Sequence, residues 1–287
     1  MSGFSPEWLA LREPVDHRSR CRGIAQQLAE HFAGHSAIRV VDLGCGTGSN
    51  LRGTYHLLPD EQHWTLVDYD LRLLAAAREA LSAWADTPLR PDGARGGGDL
   101  VIAKGSKRIS IHFRQADLNA DLGGALGTAP DLVTASAFFD LCSAEFIGRL
   151  AAAVAEWRAA FFTVLTYNGQ QQWTPAHAAD MRMLNAFTAH QITDKGFGAS
   201  AGPAAAPALG ATFQSAGYAV HEGDSPWLLD VRDRQLIADL AAGFAAAVAE
   251  TQAVDAGTIA DWAALPRSAA VVGHTDTLAL PAHLNAT

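Results

Sequence analysis

A glycine-rich turn that directly follows an apolar strand is the feature that most restricts how this chain can fold. Residues 40–50 read VVDLGCGTGSN, with Asp42 near the end of the apolar run and glycines at positions 44, 46 and 48. Glycine adopts positive φ angles without strain and lets a ligand approach the main chain closely. A tight turn from a strand into a helix, with a cofactor lying across it, requires both properties. The pattern therefore predicts an α/β fold with a ligand at this turn.

A second acid lies at an informative distance from the turn. The apolar run HWTLVDYD contains Asp68, twenty residues after Gly48. An acid at the end of the next strand can accept hydrogen bonds from a ribose diol. The two segments together predict a ligand that contains a nucleoside.

Both segments resemble the first two motifs of the class I S-adenosylmethionine-dependent methyltransferases. In that family the glycine loop contacts the methionine part of the cofactor, the second acid binds the ribose, and an Asp after the third strand reads the adenine. The matching Asp here is Asp117, in RISIHFRQADL. The resemblance spans roughly residues 36–280 and implies S-adenosylmethionine as the cofactor, with contacts from Asp42, Gly44, Cys45, Gly46, Gly48, Asp68, Tyr69, Asp117, Leu118 and Ser136.

A nicotinamide-binding Rossmann unit is the main alternative for this turn. The third glycine of its G-x-G-x-x-G fingerprint would fall at Ser49. The acid two residues before the first glycine also suits a sulfonium cofactor with a free amino group better than it suits a pyrophosphate anion. Both observations favour adenosylmethionine over a dinucleotide.

Composition limits the classes of protein to which the chain can belong. The chain has 287 residues, 49% of them hydrophobic, and a mean hydropathy of +0.05. This composition predicts one large α/β domain over residues 1–287. No long apolar run predicts a membrane span, and Met1–Glu13 lacks the pattern of a secretory signal, so we expect a cytoplasmic protein. The net charge of −9 argues against a nucleic-acid partner. The three cysteines have no metal-ligand spacing, so we expect no metal, and the pattern leaves a monomer and a homodimer both open.

Strand-like apolar runs alternate with amphipathic segments along the chain, which predicts β-α units on a mostly parallel sheet with helices on both faces. The seven predicted strands have cores at 38–43, 63–67, 108–114, 131–136, 160–166, 218–221 and 274–280. The predicted helices lie at 49–58, 71–84, 143–156, 207–216 and 231–251. The resemblance implies a Rossmann-like methyltransferase sheet in which the last strand is antiparallel, between the fifth and the sixth.

Three segments extend this minimal fold. Residues 1–36 predict an N-terminal helical cap, broken at Pro14, in which Asp16, Arg18 and Arg20 are either ligand contacts or a surface ion-pair cluster. Residues 86–107 predict a flexible loop followed by an added β-hairpin before strand three. The segment 167–207 is longer than a simple connection between two elements, so we expect it to have a function. It predicts a helical substrate lid, with Thr174 as the N-cap of the helix and Pro175 at its first position.

Methyl transfer from a sulfonium is an in-line displacement, so the protein mainly aligns the nucleophile and excludes water. The candidate catalytic residues follow strands four and five: Asp140, which could instead cap a helix, Tyr167 at the mouth of the sheet, and His177 in the lid, where a solvated helix face is the simpler interpretation. The candidate substrate contacts are Phe139, Asn168, Trp173, Lys195 and Phe197.

These observations predict an enzyme that transfers a methyl group from S-adenosylmethionine to a small molecule. The accepting atom could be oxygen, nitrogen, carbon or sulfur. A non-catalytic adenosylmethionine-binding sensor or partner subunit is the alternative, because an intact cofactor motif indicates binding and nothing more.

Overall fold

Strands and helices alternate along the chain, and the computed structural model describes residues 4–89 and 99–282. The strands are β1 (Ala37–Leu43), β2 (Glu61–Asp68), β3 (Thr87–Leu89), β4 (Asp99–Lys104), β5 (Lys107–Gln115), β6 (Leu132–Ser136), β7 (Ala160–Thr174), β8 (Tyr218–Asp224), β9 (Trp227–Leu229) and β10 (Ala269–Pro281). The helices are α1 (Pro6–Ser19), α2 (Arg22–Phe32), α3 (Ser49–Thr54), α4 (Leu71–Trp84), α5 (Leu122–Leu126), α6 (Ala144–Glu156), α7 (Asp180–Gln191), α8 (Ala205–Ser215), α9 (Arg234–Thr251) and α10 (Ala256–Ala264). Within these described ranges, no helix is both long enough and apolar enough to cross a membrane.

The strands form one sheet in the order β3-β4-β5-β2-β1-β6-β7-β10-β8, and β9 pairs with β10 beside this path. β5, β2, β1, β6 and β7 run parallel to one another, whereas β10 is antiparallel to both of its neighbours, β7 and β8. The seven predicted strands thus have the predicted order, with the last one antiparallel between the fifth and the sixth. The predicted Rossmann-like fold class is confirmed.

The segment before β5 adds strands to one edge of the sheet. β4 and β5 form an antiparallel hairpin that turns at Gly105, and β3 pairs with β4 at the edge. Most of the flexible loop predicted within 86–107 lies at 90–98, outside the described residues.

Helices cover both faces of the sheet. Side chains alternate between the faces along a strand, so Val40 of β1 packs in one apolar cluster with Leu28 of α2, and Val41 packs in the other with Phe146 of α6. Both valines are buried, which explains why the strands read as continuous apolar runs rather than alternating ones. The helices cover the faces of the sheet, and loops follow the carboxyl ends of the parallel strands.

The predicted break at Pro14 is wrong, because α1 continues through this residue to Ser19 and the chain turns only at Arg20. A proline inside a helix removes one backbone hydrogen bond. The following turn is held by Asp16, whose carboxylate accepts hydrogen bonds from Arg12 Nε at 2.9 Å and from Trp227 Nε1 at 3.0 Å. The ion pair with Arg12 lies within the helix and the contact with Trp227 is tertiary, and together they offset the lost bond.

The predicted lid over 167–207 is only partly helical. Its first eight residues continue β7 as far as Thr174, and they pair with β10 from Ala269 to His274. The helix predicted from Thr174 starts instead at Asp180. The polar sequence NGQQQW does not alternate between apolar and polar residues, so the sequence alone does not predict a strand there. It is extended because it pairs with the long antiparallel strand β10.

Candidate active site

A cavity of about 690 Å³ opens where β1, β2, β5 and β6 end. Open parallel sheets bind ligands at this edge, where the connections diverge to opposite faces. The size is typical of a small-molecule or cofactor site. Its walls bring together many of the residues that the sequence predicts, namely Gly44, Cys45, Gly46, Asp68, Tyr69, Asp117, Leu118, Ser136, Lys195 and Phe197.

The glycine loop forms the floor of this cavity. Gly44, Gly46 and Gly48 have φ angles of 62°, 54° and 77°, in the left-handed region that favours glycine. At Gly44 space is limiting as well, because an added Cβ would lie 2.8 Å from Cδ2 of Phe138. Gly48 is not in the wall of the cavity and serves as the N-cap of α3.

Asp68 joins the loop to the end of β2. Its Oδ2 accepts a hydrogen bond from the backbone N–H of Gly46 at 2.9 Å, and its Oδ1 accepts one from Asp70 at 2.9 Å. Burial raises the pKa of this carboxyl group, and the two backbone donors partly oppose the shift. Because a carboxylate oxygen has two lone pairs, Asp68 can hold the loop and still accept from a ligand.

Asp117 occupies the far end of the cavity, after β5. Its Oδ1 accepts hydrogen bonds from the backbone N–H groups of Asn119 at 2.9 Å and Ala120 at 3.3 Å. The neighbouring Leu118 is buried and contributes an apolar surface. An acid beside an apolar surface is a suitable environment for the edge and face of a nucleobase.

Asp42 lies beneath the floor rather than in the wall. It is fully buried, and its Oδ1 accepts a hydrogen bond from Asn50 Nδ2 at 2.8 Å, while its Oδ2 has no hydrogen-bond partner. Burial raises the pKa of Asp42 to about 7, more than the hydrogen bond from Asn50 lowers it. Asn50 itself lines the cavity, and sequence reasoning missed it because it follows the last glycine, inside the first turn of α3.

The N-terminal cap closes one side of the cavity through Phe4, Leu9, Arg12 and Asp16. The guanidinium of Arg12 stacks over the ring of Trp227, 5.0 Å from its centroid, and pairs with Asp16. Sequence reasoning named Asp16 and missed Arg12, although their spacing of four residues on one helix was a usable signal. Arg18 and Arg20 lie elsewhere, the first paired with Asp233 and the second bonded to Thr54 and Asn50.

A buried polar cluster lies beside Phe138 and Leu141, next to the cavity wall, and consists of Asp140, Tyr167 and His274. Each has an atom without a hydrogen-bond partner: Asp140 Oδ1, the Tyr167 hydroxyl and His274 Nδ1. Burial raises the pKa of Asp140 to about 6. Burial, with the charge of Asp140, raises the pKa of Tyr167 to about 12. Burial, with the charge of Arg12, lowers the pKa of His274 to about 3.

His274 is in this cluster only because of the sheet order. It lies on β10, opposite Tyr167 of β7, and the two ring centroids are 6.2 Å apart. More than one hundred residues separate them in the chain, so no local pattern could indicate the pair. The antiparallel insertion of β10 beside β7 creates it.

Besides Asp42, Gly48, Asp140 and Tyr167, four more predicted site residues lie outside the cavity wall. His177 lies just before α7, where its backbone N–H donates to Asp180 Oδ2 at 2.8 Å and its Nδ1 accepts from the backbone N–H of Ala179. Trp173 packs in an aromatic cluster with rings of α9 and α10. The side chain of Asn168 accepts a hydrogen bond from Gln170. Phe139 packs in the core against Phe161, and its neighbour Phe138 lines the cavity instead, because adjacent side chains diverge.

Solved structures with a similar architecture are known. No family model and no curated protein matches the chain. A cyclopropane-fatty-acyl-phospholipid synthase-like protein from Lactobacillus casei is similar over 93% of this chain and 98% of its own, with 14% identity and a TM-score of 0.50. The YcgJ protein from Bacillus subtilis is similar over 92% and 100%, with 10% identity and a TM-score of 0.52.

A third structure, a SAM-dependent methyltransferase from Geobacter sulfurreducens in complex with S-adenosyl-L-homocysteine, aligns over 97% of this chain and 99% of its own, with 15% identity and a TM-score of 0.44. At identities this low, similarity to solved structures establishes the fold alone. The sheet order agrees with the first two alignments, and the chain has the predicted Rossmann-like α/β fold.

Proposed function

We propose that this protein transfers a methyl group from S-adenosylmethionine to a small-molecule acceptor. The observation that carries the proposal is that one cavity brings the glycine loop, Asp68 and Asp117 together from three separate strand ends. Each matches one part of the cofactor: the loop suits the methionine part, Asp68 the ribose and Asp117 the adenine. Agreement between three independent segments is much stronger support than the glycine loop alone.

The residues present also fit the charge of the cofactor. Adenosylmethionine, when bound, supplies a methyl group on a sulfonium that is open to in-line attack. Asp68 in the cavity wall and Asp42 beneath the floor place two carboxyl groups at the loop, and Asp42 Oδ2 has no hydrogen-bond partner. Leu9 and Phe138 line the same space and would exclude water from the transfer.

We propose the buried cluster beside the cavity as the acceptor side of the site. Asp140 follows β6, Tyr167 lies on β7 and His274 on β10. None of the three lines the cavity itself, but Phe138 and Leu141, on either side of Asp140 in the chain, do. A carboxylate with a pKa of about 6 can take a proton near neutral pH. We assign Asp140 the role of general base, accepting the proton that an N–H or O–H acceptor loses. Tyr167 and His274, which is neutral at this pH, would orient the acceptor by hydrogen bonds.

We expect the affinity for S-adenosylhomocysteine, the demethylated product, to rise between about pH 6 and pH 8. Burial raises the pKa of Asp42 to about 7, so this group is mostly protonated at the lower pH and mostly ionised at the higher. The ionised form attracts the ammonium group of the ligand, so binding should tighten about tenfold over the interval. Because the folded-state pKa is raised above the unfolded value, the same group makes the fold less stable as the pH rises from about 4 to about 7.

Calorimetric titration of the wild type and of Asp42→Asn at both pH values tests this expectation. The variant cannot ionise at this position, so its affinity should vary little with pH. Titration of the ligand itself affects both proteins equally and cancels in the comparison. An identical pH slope in the two proteins would show that Asp42 is not the group responsible.

The proposed reaction is tested by mass spectrometry of a metabolite extract incubated with the protein and adenosylmethionine carrying a deuterated methyl group. We expect a labelled small molecule with the wild type. The variant Asp140→Asn should form it at least a hundredfold more slowly, because general bases contribute about 10²–10⁴ to rates. Asp261→Asn, at an exposed position on α10, is the matched control and should keep the wild-type rate.

The possible outcomes separate the proposals. Cofactor binding without any labelled product from extracts of several sources would support the non-catalytic alternative and overturn the enzyme. A labelled product that forms equally fast with Asp140→Asn would keep the transferase and remove Asp140 as the base.

A further inference from the structure

Only three residues of the predicted lid line the cavity, and they are consecutive: Lys195, Gly196 and Phe197. They belong to the loop 193–200, which follows α7. Asn119, two residues beyond Asp117, donates a hydrogen bond from its Nδ2 to the carbonyl oxygen of Gly196 at 3.4 Å. The loop therefore meets the cavity at the Asp117 end.

Internal hydrogen bonds give the loop 193–200 a defined shape. Asp194 Oδ1 accepts from the backbone N–H groups of Gly196 at 2.7 Å and Gly198 at 3.1 Å. Ser200 Oγ lies 2.9 Å from the carbonyl oxygen of Leu141 and 2.9 Å from that of Thr193, and so can donate to either. The first contact ties the loop to the segment after β6, which also borders the cavity. The loop thus forms a wall of the cavity.

Phe197 is the apolar part of this wall. Its ring packs against Phe138 at a centroid distance of 5.4 Å and against Phe146 at 4.7 Å, both nearly edge to face. Phe138 in turn touches Gly44 of the glycine loop. Phe197 is half-buried and lines the cavity, so part of its ring packs on Phe138 and Phe146 and part faces the ligand space.

We propose that the loop 193–200 binds the adenine of the cofactor, with Phe197 as the apolar surface against the base. The inference rests on the proposed function and assigns this segment to the cofactor instead of the acceptor. A nucleobase needs an apolar contact for its face and a polar partner for its edge. Phe197 and Leu118 provide the first, and Asp117 provides the second.

The proposal makes a prediction that depends on which part of the ligand is present. S-Adenosylhomocysteine carries the adenosine and the amino-acid part, whereas 5′-methylthioadenosine carries the adenosine and lacks the amino-acid part. If Phe197 contacts the base, Phe197→Ala should weaken both ligands by the same factor, about tenfold or more, as for loss of an aromatic side chain that packs on a base. Phe197→Leu, which keeps an apolar side chain, should lose less.

The experiment is calorimetric titration of the full chain with these two compounds. Met181→Ala is the matched control, because Met181 lies on α7 of the same insertion, is 67% exposed and does not line the cavity. It should bind both compounds as the wild type does. Thermal unfolding checks that each variant is folded. If Phe197→Ala does not fold, Phe197→Leu provides the test. Hydrogen exchange of residues 193–200 is the second measurement. We expect this exchange to slow when 5′-methylthioadenosine binds to the wild type.

Three results overturn the proposal in distinguishable ways. Wild-type affinity of folded Phe197 variants for both compounds, without slowed exchange in the loop, removes the loop from the site. Weakened binding of S-adenosylhomocysteine alone places Phe197 at the amino-acid end. If the wild type binds neither compound, the proposed function fails together with this inference.

Discussion

Replacing Asp68 with alanine should weaken the binding of S-adenosylhomocysteine by about a hundredfold or more. A carboxylate that accepts hydrogen bonds from two ribose hydroxyls contributes about 1.5–3 kcal/mol for each bond. Asp68 also holds the backbone N–H of Gly46 at 2.9 Å, so the variant releases the glycine loop from the end of β2. Both losses act in the same direction. Calorimetric titration at neutral pH measures the change.

Asp60→Ala is the matched control for this experiment. Asp60 lies immediately before β2, at the opposite end of the strand, and its exposed carboxylate pairs with Lys107. We expect unchanged affinity in that variant. Asp68→Asn should lie between Asp68→Ala and the wild type, since its side chain keeps one acceptor oxygen. If Asp68→Ala bound the ligand within a few fold of the wild type, Asp68 would not be the ribose acceptor.

Asp276→Ala should lower the free energy of unfolding by about 3–5 kcal/mol, because each hydrogen bond from a buried donor to a charged carboxylate contributes about 1.5–3 kcal/mol and Asp276 accepts two. Asp276 is fully buried on β10 and joins three parts of the fold. Its Oδ1 accepts from the backbone N–H of Leu165 at 2.8 Å, and its Oδ2 accepts from that of Cys21 at 2.8 Å. Its charge also faces the buried guanidinium of Arg20. The variant leaves those donors and that charge uncompensated.

Urea unfolding followed by circular dichroism measures this loss. Asp261→Ala, at an exposed position on α10, should stay within about 0.5 kcal/mol of the wild type. Asp276→Asn, which keeps one acceptor, should lose less than Asp276→Ala. A loss below about 1 kcal/mol in Asp276→Ala would mean that water or a local shift satisfies the three groups.

The proposed cofactor side of the site could be predicted because its residues lie in continuous local patterns. A strand, three glycines and a helix form the loop at Gly44, and the acid that ends β2 comes within the next β-α unit. Helix α4, from Leu71 to Trp84, has the bounds that its amphipathic period predicts. Short-range periodicity and turn chemistry determine such elements, since each residue contacts near neighbours in the chain.

The proposed acceptor side could not be predicted in the same way. His274 reaches Tyr167 only through the pairing of β10 with β7, and Arg12 reaches the cavity only through the packing of α1 on β9. His177 looked equally suitable by residue type, yet its hydrogen bonds with Ala179 and Asp180 hold it at the start of α7, outside the cavity. Residue type and spacing identify a possible base, whereas long-range packing decides whether it meets the ligand.

The sequence by itself determined the succession of strands and helices along the chain, the glycine loop and the acids of the proposed cofactor site, because these depend on backbone conformation and on side-chain periods within one β-α unit. Tertiary structure alone decided that 167–174 extends β7, that Phe197 closes the Asp117 end of the cavity, and that Asp140 and His274 share one buried cluster. These features depend on contacts between segments distant in the chain, whose partners are fixed only when the whole sheet has formed.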